Sequence, residues 1–181
     1  MRLNKPVRDI VILLVIIVAG GAAYWWYTPH YPRRPAFTMT GLDGAKHSIA
    51  DYDGQVVLLN FSATWCIPCR EEIPMLVQAQ TELGAQGLQI IGIAIDKRKP
   101  TAAFAQRYEI NYPVLVSRDD GARLQDKFTT LMDTAAAMLP YSVVIDRQGR
   151  VRADILGKLD RARLNKLVLP LLGGAPGAAS D

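Results

Sequence analysis

Short apolar runs and mixed polar segments alternate along most of this chain. Val56-Val57-Leu58-Leu59-Asn60-Phe61 and Leu88-Gln89-Ile90-Ile91-Gly92-Ile93-Ala94-Ile95 are almost unbroken apolar runs, the pattern of strands buried on both faces. Tyr112 to Val116, Tyr141 to Asp146 and Val151 to Ile155 are shorter runs, the last two joined by a turn at Arg147-Gln148-Gly149. Helices are predicted between and after them. The first runs from the Cys66 region to Leu83, kinked at Pro74 and ended by Gly84 and Gly87. The others span Thr101 to Tyr108, with Pro100 near the start, Ala122 to Phe128, and Arg161 to Leu172 behind an Asp160 cap. Ahead of all these, Phe37 to Thr40 and Lys46 to Ile49 flank Asp43-Gly44 and read as a small hairpin. Strands alternating with helices, then a terminal hairpin and helix, imply an α/β fold with a mixed central sheet flanked by helices.

One apolar block is of another kind. Ile10 to Tyr27 carries no charge over 18 residues, near the lower limit for a membrane span. Arg2, Lys5 and Arg8 precede it against Asp9 alone, which places residues 1–9 in the cytoplasm, and Trp25, Trp26 and Tyr27 fit an interfacial aromatic belt. The pattern predicts a transmembrane signal anchor over 10–27 and a proline-punctuated tether over 28–36. An exported domain over 37–172 and a flexible tail over 173–181 follow. The expected location is the inner membrane, single-pass, with the C-terminal domain in the periplasm. A cleaved signal peptide is the competing reading, because Gly20-Gly21-Ala22-Ala23 offers small residues at a cleavage point; the protein would then be soluble and periplasmic.

The formal charge of +4 does not describe a basic domain. Five of the 21 Lys and Arg residues lie in the anchor and its exit, which leaves sixteen bases against sixteen acids from Ala36 onward. Lys97-Arg98-Lys99 reads as a solvated turn. A near-neutral domain with no basic face excludes a nucleic-acid partner.

The only two cysteines sit in Trp65-Cys66-Ile67-Pro68-Cys69-Arg70. Two thiols spaced by two residues at the start of a helix close a small ring that is easily made and broken. The helix dipole and its orphan N–H groups let the first thiol ionise near neutral pH. Half a zinc site is the alternative, and it needs two more Cys or His ligands. There is no third cysteine, and His30 and His47 are the only histidines. No metal or cofactor is expected beyond the redox-active pair itself; a static disulfide is the remaining alternative.

The run Leu58-Leu59-Asn60-Phe61-Ser62-Ala63-Thr64-Trp65-Cys66-Ile67-Pro68-Cys69-Arg70-Glu71-Glu72-Ile73-Pro74 resembles the TlpA/ResA-type branch of the thioredoxin superfamily. The resemblance extends over roughly Phe37 to Leu172, including the leading hairpin and Leu139-Pro140-Tyr141-Ser142-Val143-Val144-Ile145-Asp146. It implies a thioredoxin-like fold with an N-terminal β-hairpin. It also implies a membrane-tethered or exported thiol–disulfide oxidoreductase, usually a reductase of other exported proteins. By this resemblance Cys66 is the nucleophile and Cys69 resolves the mixed disulfide. Trp65 shields the disulfide, Pro68 tunes its potential, and Ile67 lies with them on the substrate-facing side. Pro140 matches the branch's cis-proline, which lies beside the Cys66 sulfur and docks an extended substrate strand; Leu139 before it faces the active site. Glu72 falls where the branch places an acid, and a partly buried carboxylate there would carry protons to and from the resolving thiol. A solvated helix-surface Glu, like Glu71, is the alternative. Asn60 stands where ordinary thioredoxins have a buried acid, which leaves Glu72 as the substitute.

Two departures accompany the match. Ser62 occupies a position often aromatic in the branch, and the approach to Pro140 is long and alanine-rich, so Thr134 to Met138 is predicted as a short helical insertion. The implied partners are exported proteins bearing disulfides and a membrane electron donor that re-reduces the pair. A thiol oxidant or isomerase is the alternative, but such oxidants usually carry a His between the cysteines, and Ile67-Pro68 has none. A peroxidase of the related peroxiredoxin group needs an activating Thr and Arg arrangement, whereas Thr64-Trp65 precedes Cys66 here. A redox-sensing binding module would use the same cleft without turnover.

Overall fold

The structure is a computed structural model and describes residues 10, 12–21, 31–134 and 138–173. The chain divides into two units, Met1–Tyr31 and Pro32–Asp181. In the first, residues 12–21 are helical with exposed side chains. No helix among the described residues is long and apolar enough to cross a membrane. Residues 1–9, Val11 and residues 22–30, on which the cytoplasmic N-terminus, much of the anchor and the start of the tether were placed, lie outside the described residues.

The second unit opens with an antiparallel pair, β1 (Thr38–Thr40) and β2 (Lys46–Ser48). Asp43 Oδ1 accepts the Ala45 N–H at 3.0 Å and Gly44 sits at φ 85°, so the expected Asp-Gly turn is formed. A separate five-stranded sheet has the order β5-β4-β3-β6-β7. Its strands are β3 (Val56–Ser62), β4 (Leu88–Ala94), β5 (Val114–Val116), β6 (Tyr141–Ile145) and β7 (Val151–Leu156). β3, β4 and β5 run parallel, while β6 is antiparallel to β3 and β7 to β6. The helices are α1 (Ile67–Leu83), α2 (Arg98–Arg107), α3 (Arg118–Leu131) and α4 (Arg161–Leu172).

The unbroken apolar runs are explained by two cores, one on each face of the sheet. Val56, Leu58, Ile90 and Val144 pack against Ile73, Leu76 and Ala79 of α1 and against Leu164 and Val168 of α4. The alternate residues Leu59, Phe61, Ile91, Ile93 and Val143 pack against Leu124 and Phe128 of α3. Asn60 follows the parity of Val56 and Leu58, so a polar side chain faces the α1 layer.

Two helices start earlier than expected, each for its own reason. α2 begins at Arg98 rather than Thr101, because Pro100 fits its first turn, where a missing N–H leaves no bond unmade. α3 begins at Arg118 rather than Ala122: the Ser117 hydroxyl accepts the Asp120 N–H and Asp119 and Asp120 fill the first turn. Thr134 and Met138 are not helical, and residues 135–137, the rest of the expected insertion, lie outside the described residues. Part of the stretch read as a tether is attached to the domain. Val151 donates to Pro32 O at 2.8 Å and Arg34 to Gly149 O at 2.9 Å, and Arg34 pairs with Asp53. Of the tail, only Gly173 is described.

Candidate active site

The chain leaves β3 at Ser62 and turns at Ala63 to Trp65, where the Cys66 N–H donates to Ala63 O at 3.1 Å. Cys66 is then the N-cap of α1, in extended conformation, and its sulfur accepts the Cys69 N–H at 3.3 Å. Pro68 lies within the first turn, where no intrahelical donor is needed. Cys66 and Cys69 form a disulfide, with Cα atoms 5.3 Å apart. Cys69 is fully buried and Cys66 retains 6% exposure. Trp65 and Ile67 flank the pair at 65% and 61% exposure, an apolar rim open to solvent.

Asp96, two residues past the end of β4, fixes the turn before Cys66. Its Oδ2 accepts both the Thr64 N–H at 3.1 Å and the Thr64 hydroxyl, and its Oδ1 accepts the Lys97 N–H at 2.7 Å. Burial pushes its pKa up, but these hydrogen bonds and the Arg118 charge outweigh that and hold it below the ordinary value.

β6 runs antiparallel to β3 with Tyr141 opposite Phe61, so the residues before Tyr141 reach the end of the sheet where the cysteine turn begins. The Leu139-Pro140 bond is cis. Leu139 packs against Ala63, Cys66 and Cys69. The segment is held by Gln125 Nε2 donating to Met138 O at 2.9 Å and by Gly157 N–H donating to Pro140 O at 2.9 Å.

Glu72 lies one helical turn after Cys69, on the inward side of α1, and is 1% exposed. Asn60 Nδ2 donates to its Oε1 at 2.7 Å and the Leu159 N–H to its Oε2 at 2.9 Å. The same Asn60 Nδ2 donates to Ser142 Oγ at 3.1 Å. Burial raises the Glu72 pKa, opposed by the Leu159 and Asn60 hydrogen bonds and by the Lys158 charge. Its neighbour Glu71 is at the surface, paired with Lys158 at 2.7 Å. The solvated-helix alternative thus describes Glu71 and not Glu72.

The structure gathers Cys66, Cys69 and Leu139 in one cluster, with Pro140 next in chain, Glu72 beneath on the same helix, and Trp65, Ile67 and Pro68 at the helix entry. Three partners were missed in sequence: Asp96, Ser142 and the Leu159 N–H. Asp96 had a signal, as the single acid closing an apolar strand. Ser142 and Leu159 come from 82 and 87 residues away, and a backbone donor carries no signature in composition.

The sequence model of the AhpC/TSA family matches residues 33–154. Among curated relatives, the thiol-disulfide oxidoreductase ResA of Geobacillus thermodenitrificans is 30% identical over 128 residues, covering 70% of this chain and 69% of the relative. A thiol:disulfide interchange protein of the thioredoxin family from Chlorobium tepidum superposes with a TM-score of 0.72 at 31% identity, covering 81% of this chain and 99% of that one. A putative thiol:disulfide interchange protein DsbE from Chlorobium tepidum superposes with a TM-score of 0.68 at 26% identity, over 80% and 99% of the two chains. By sequence, fold and paired cysteines alike, this chain belongs to the AhpC/TSA family and is a thioredoxin-fold thiol–disulfide oxidoreductase.

Proposed function

We propose that the chain is an exported, membrane-tethered protein-disulfide reductase acting on exported proteins through its Cys66/Cys69 dithiol. The observation that carries this reading is the asymmetry of the pair: Cys66 caps the helix at the apolar rim, while Cys69 is sealed beneath it beside a buried carboxylate. The Cys66 thiolate attacks one sulfur of a substrate disulfide, forming a mixed disulfide and releasing the other substrate sulfur as a thiolate. The Glu72 carboxylate takes the Cys69 proton, and the Cys69 thiolate attacks Cys66 Sγ. The Cys66–Cys69 disulfide forms, the second substrate sulfur leaves, and two electrons have moved to the substrate. Trp65, Ile67, Leu139 and Pro140 present the surface on which an extended substrate segment lies. No cofactor enters; the disulfide is the redox group.

The direction is supported by Ile67-Pro68, which places no cation between the cysteines to stabilise the dithiol form as strong oxidants do. Re-reduction then calls for a membrane electron donor. Tethering in the inner membrane is supported by the uncharged run over 10–27 behind Arg2, Lys5 and Arg8. A Cys69→Ser variant tests the reading, since it cannot resolve the mixed disulfide. It should accumulate covalent complexes with exported proteins through Cys66, released by dithiothreitol. Absence of such complexes, in a folded variant with its Cys66 thiol free, contradicts it.

A further inference from the structure

Two buried polar atoms beside the Glu72 site have no partner within the protein: Asn60 Oδ1 and the Tyr112 hydroxyl. Both residues line one cavity of about 20 Å³, together with Gly92 and Thr101. That volume fits a single water, which occupies roughly 10–15 Å³ by the same measure and needs two or more polar partners. Asn60 lines the cavity with its oxygen as the atom left without a partner. Its amide nitrogen donates to both Glu72 and Ser142, so Oδ1, across the amide plane, turns away from the carboxylate. Asn60 stands beside Gly92 in the β3–β4 register. The missing side chain at Gly92 leaves the space open: a Cβ there would lie 3.5 Å from Tyr112 Cε2 and from Val114 Cγ2.

We propose that this cavity is a single-water site in which a water bridges the Tyr112 hydroxyl and Asn60 Oδ1, making Tyr112 a positioning residue for the ionisation of Glu72. The Tyr112 O–H donates to the water, the water to Asn60 Oδ1, and Asn60 Nδ2 to Glu72 Oε1. Donors aligned in one direction polarise one another, so the last bond, to the carboxylate, is strengthened and the charged form is favoured. Glu72 is met by Asn60 from β3, by the Leu159 N–H and the Lys158 charge from the β7–α4 turn, and by Tyr112, with Cys69 one turn before it on its own helix. Tyr112, Ile110 and Val114 also line a larger groove of about 500 Å³. The consequence for turnover rests on Glu72 being the proton carrier; the water site itself does not.

The test combines a high-resolution crystal structure of the oxidised protein with ¹³C-carboxyl NMR titration of Glu72 in wild type, Tyr112→Phe and Gly92→Ala. The first variant removes the hydroxyl and the second fills the cavity with a methyl group. Density for a water within hydrogen-bond distance of both Tyr112 Oη and Asn60 Oδ1 is expected. Each folded variant should titrate Glu72 about half a pH unit higher, roughly a threefold change in its ionisation constant. A dry cavity, or an unchanged Glu72 titration in either folded variant, overturns the proposal. If Tyr112→Phe does not fold, Gly92→Ala and the wild-type density decide. An exchange rate insensitive to Glu72→Gln would instead remove the proton-carrier role and leave these two readouts standing.

Discussion

Asn60 and Glu72, one on the central strand β3 and the other on α1, meet in the interior through a 2.7 Å hydrogen bond from Nδ2 to Oε1. With the Leu159 N–H on the other oxygen, the carboxylate has one donor per oxygen. That is fewer than a carboxylate has in water, and too few to offset its burial, so its pKa stays raised. A carboxyl group in that state, one helical turn from a buried thiol, is placed to serve as the proton carrier proposed above.

Replacing that carboxyl is the first consequence to measure. Glu72→Gln is expected to slow oxidation of the dithiol protein by a small disulfide on the order of 10²-fold near pH 7. It should also flatten the limb of the pH–rate profile that belongs to Glu72. Stopped-flow rates from pH 5 to pH 9 check both. An unchanged profile contradicts the assignment.

The same raised pKa makes stability fall as pH rises. Between the ordinary value of 4.5 and the higher folded value, the native protein binds more protons at Glu72 than the unfolded chain does. Stability attributable to this group is therefore full below about pH 4.5 and declines until the folded pKa is passed. Urea unfolding of the oxidised protein should show this decline, and Glu72→Gln should remove it. A decline of equal size in the variant assigns it elsewhere.

Asp146 has the opposite sign. It is buried, which pushes its pKa up, but the Arg150 backbone N–H and the Arg150 and Arg152 guanidinium groups outweigh burial and lower it below 3.8. Its stabilisation is thus present above pH 3.8 and lost as pH falls through the folded pKa. Asp146→Asn is expected to cost about 2 kcal/mol at pH 7. The gap between wild type and variant should narrow towards pH 2 in urea titrations. A constant gap contradicts the ionic account.

Asp96 acts on the cysteine turn through Thr64. Asp96→Ala leaves the Thr64 and Lys97 N–H groups without their acceptor, which costs about 1–3 kcal/mol. Cys66 is two residues from Thr64, so alkylation of Cys66 in the reduced variant should also become slower or less uniform. Asp96→Asn, which keeps one acceptor oxygen but turns an NH2 towards the other donor, should recover only part of the stability; full recovery would contradict this.

The sheet was legible because β3 and β4 are apolar apart from Asn60, Ser62 and Gln89, a pattern that burial on two faces requires. α4 was legible because Asp160 caps it where the composition changes. α2 and α3 were read three and four residues short, because Pro100 and Asp119-Asp120 look like loop residues until their place in a first turn is known. At the site, Cys66, Cys69 and Glu72 lie within one helical segment and can be related by spacing alone. The Asn60–Ser142 and Glu72–Leu159 contacts could not be, since the antiparallel return of β6 and β7 brings them in. Gly92 and Tyr112 read as strand residues, and only the register beside Asn60 gives them a place near Glu72.

Cys66–Cys69 is proposed to work as a reducing couple. Its reduction potential, measured on the purified protein by equilibration with dithiothreitol or glutathione redox buffers, tests that most directly. A value near that of thioredoxin, about −270 mV, is expected. A value near about −120 mV, that of a strong oxidant, would contradict it.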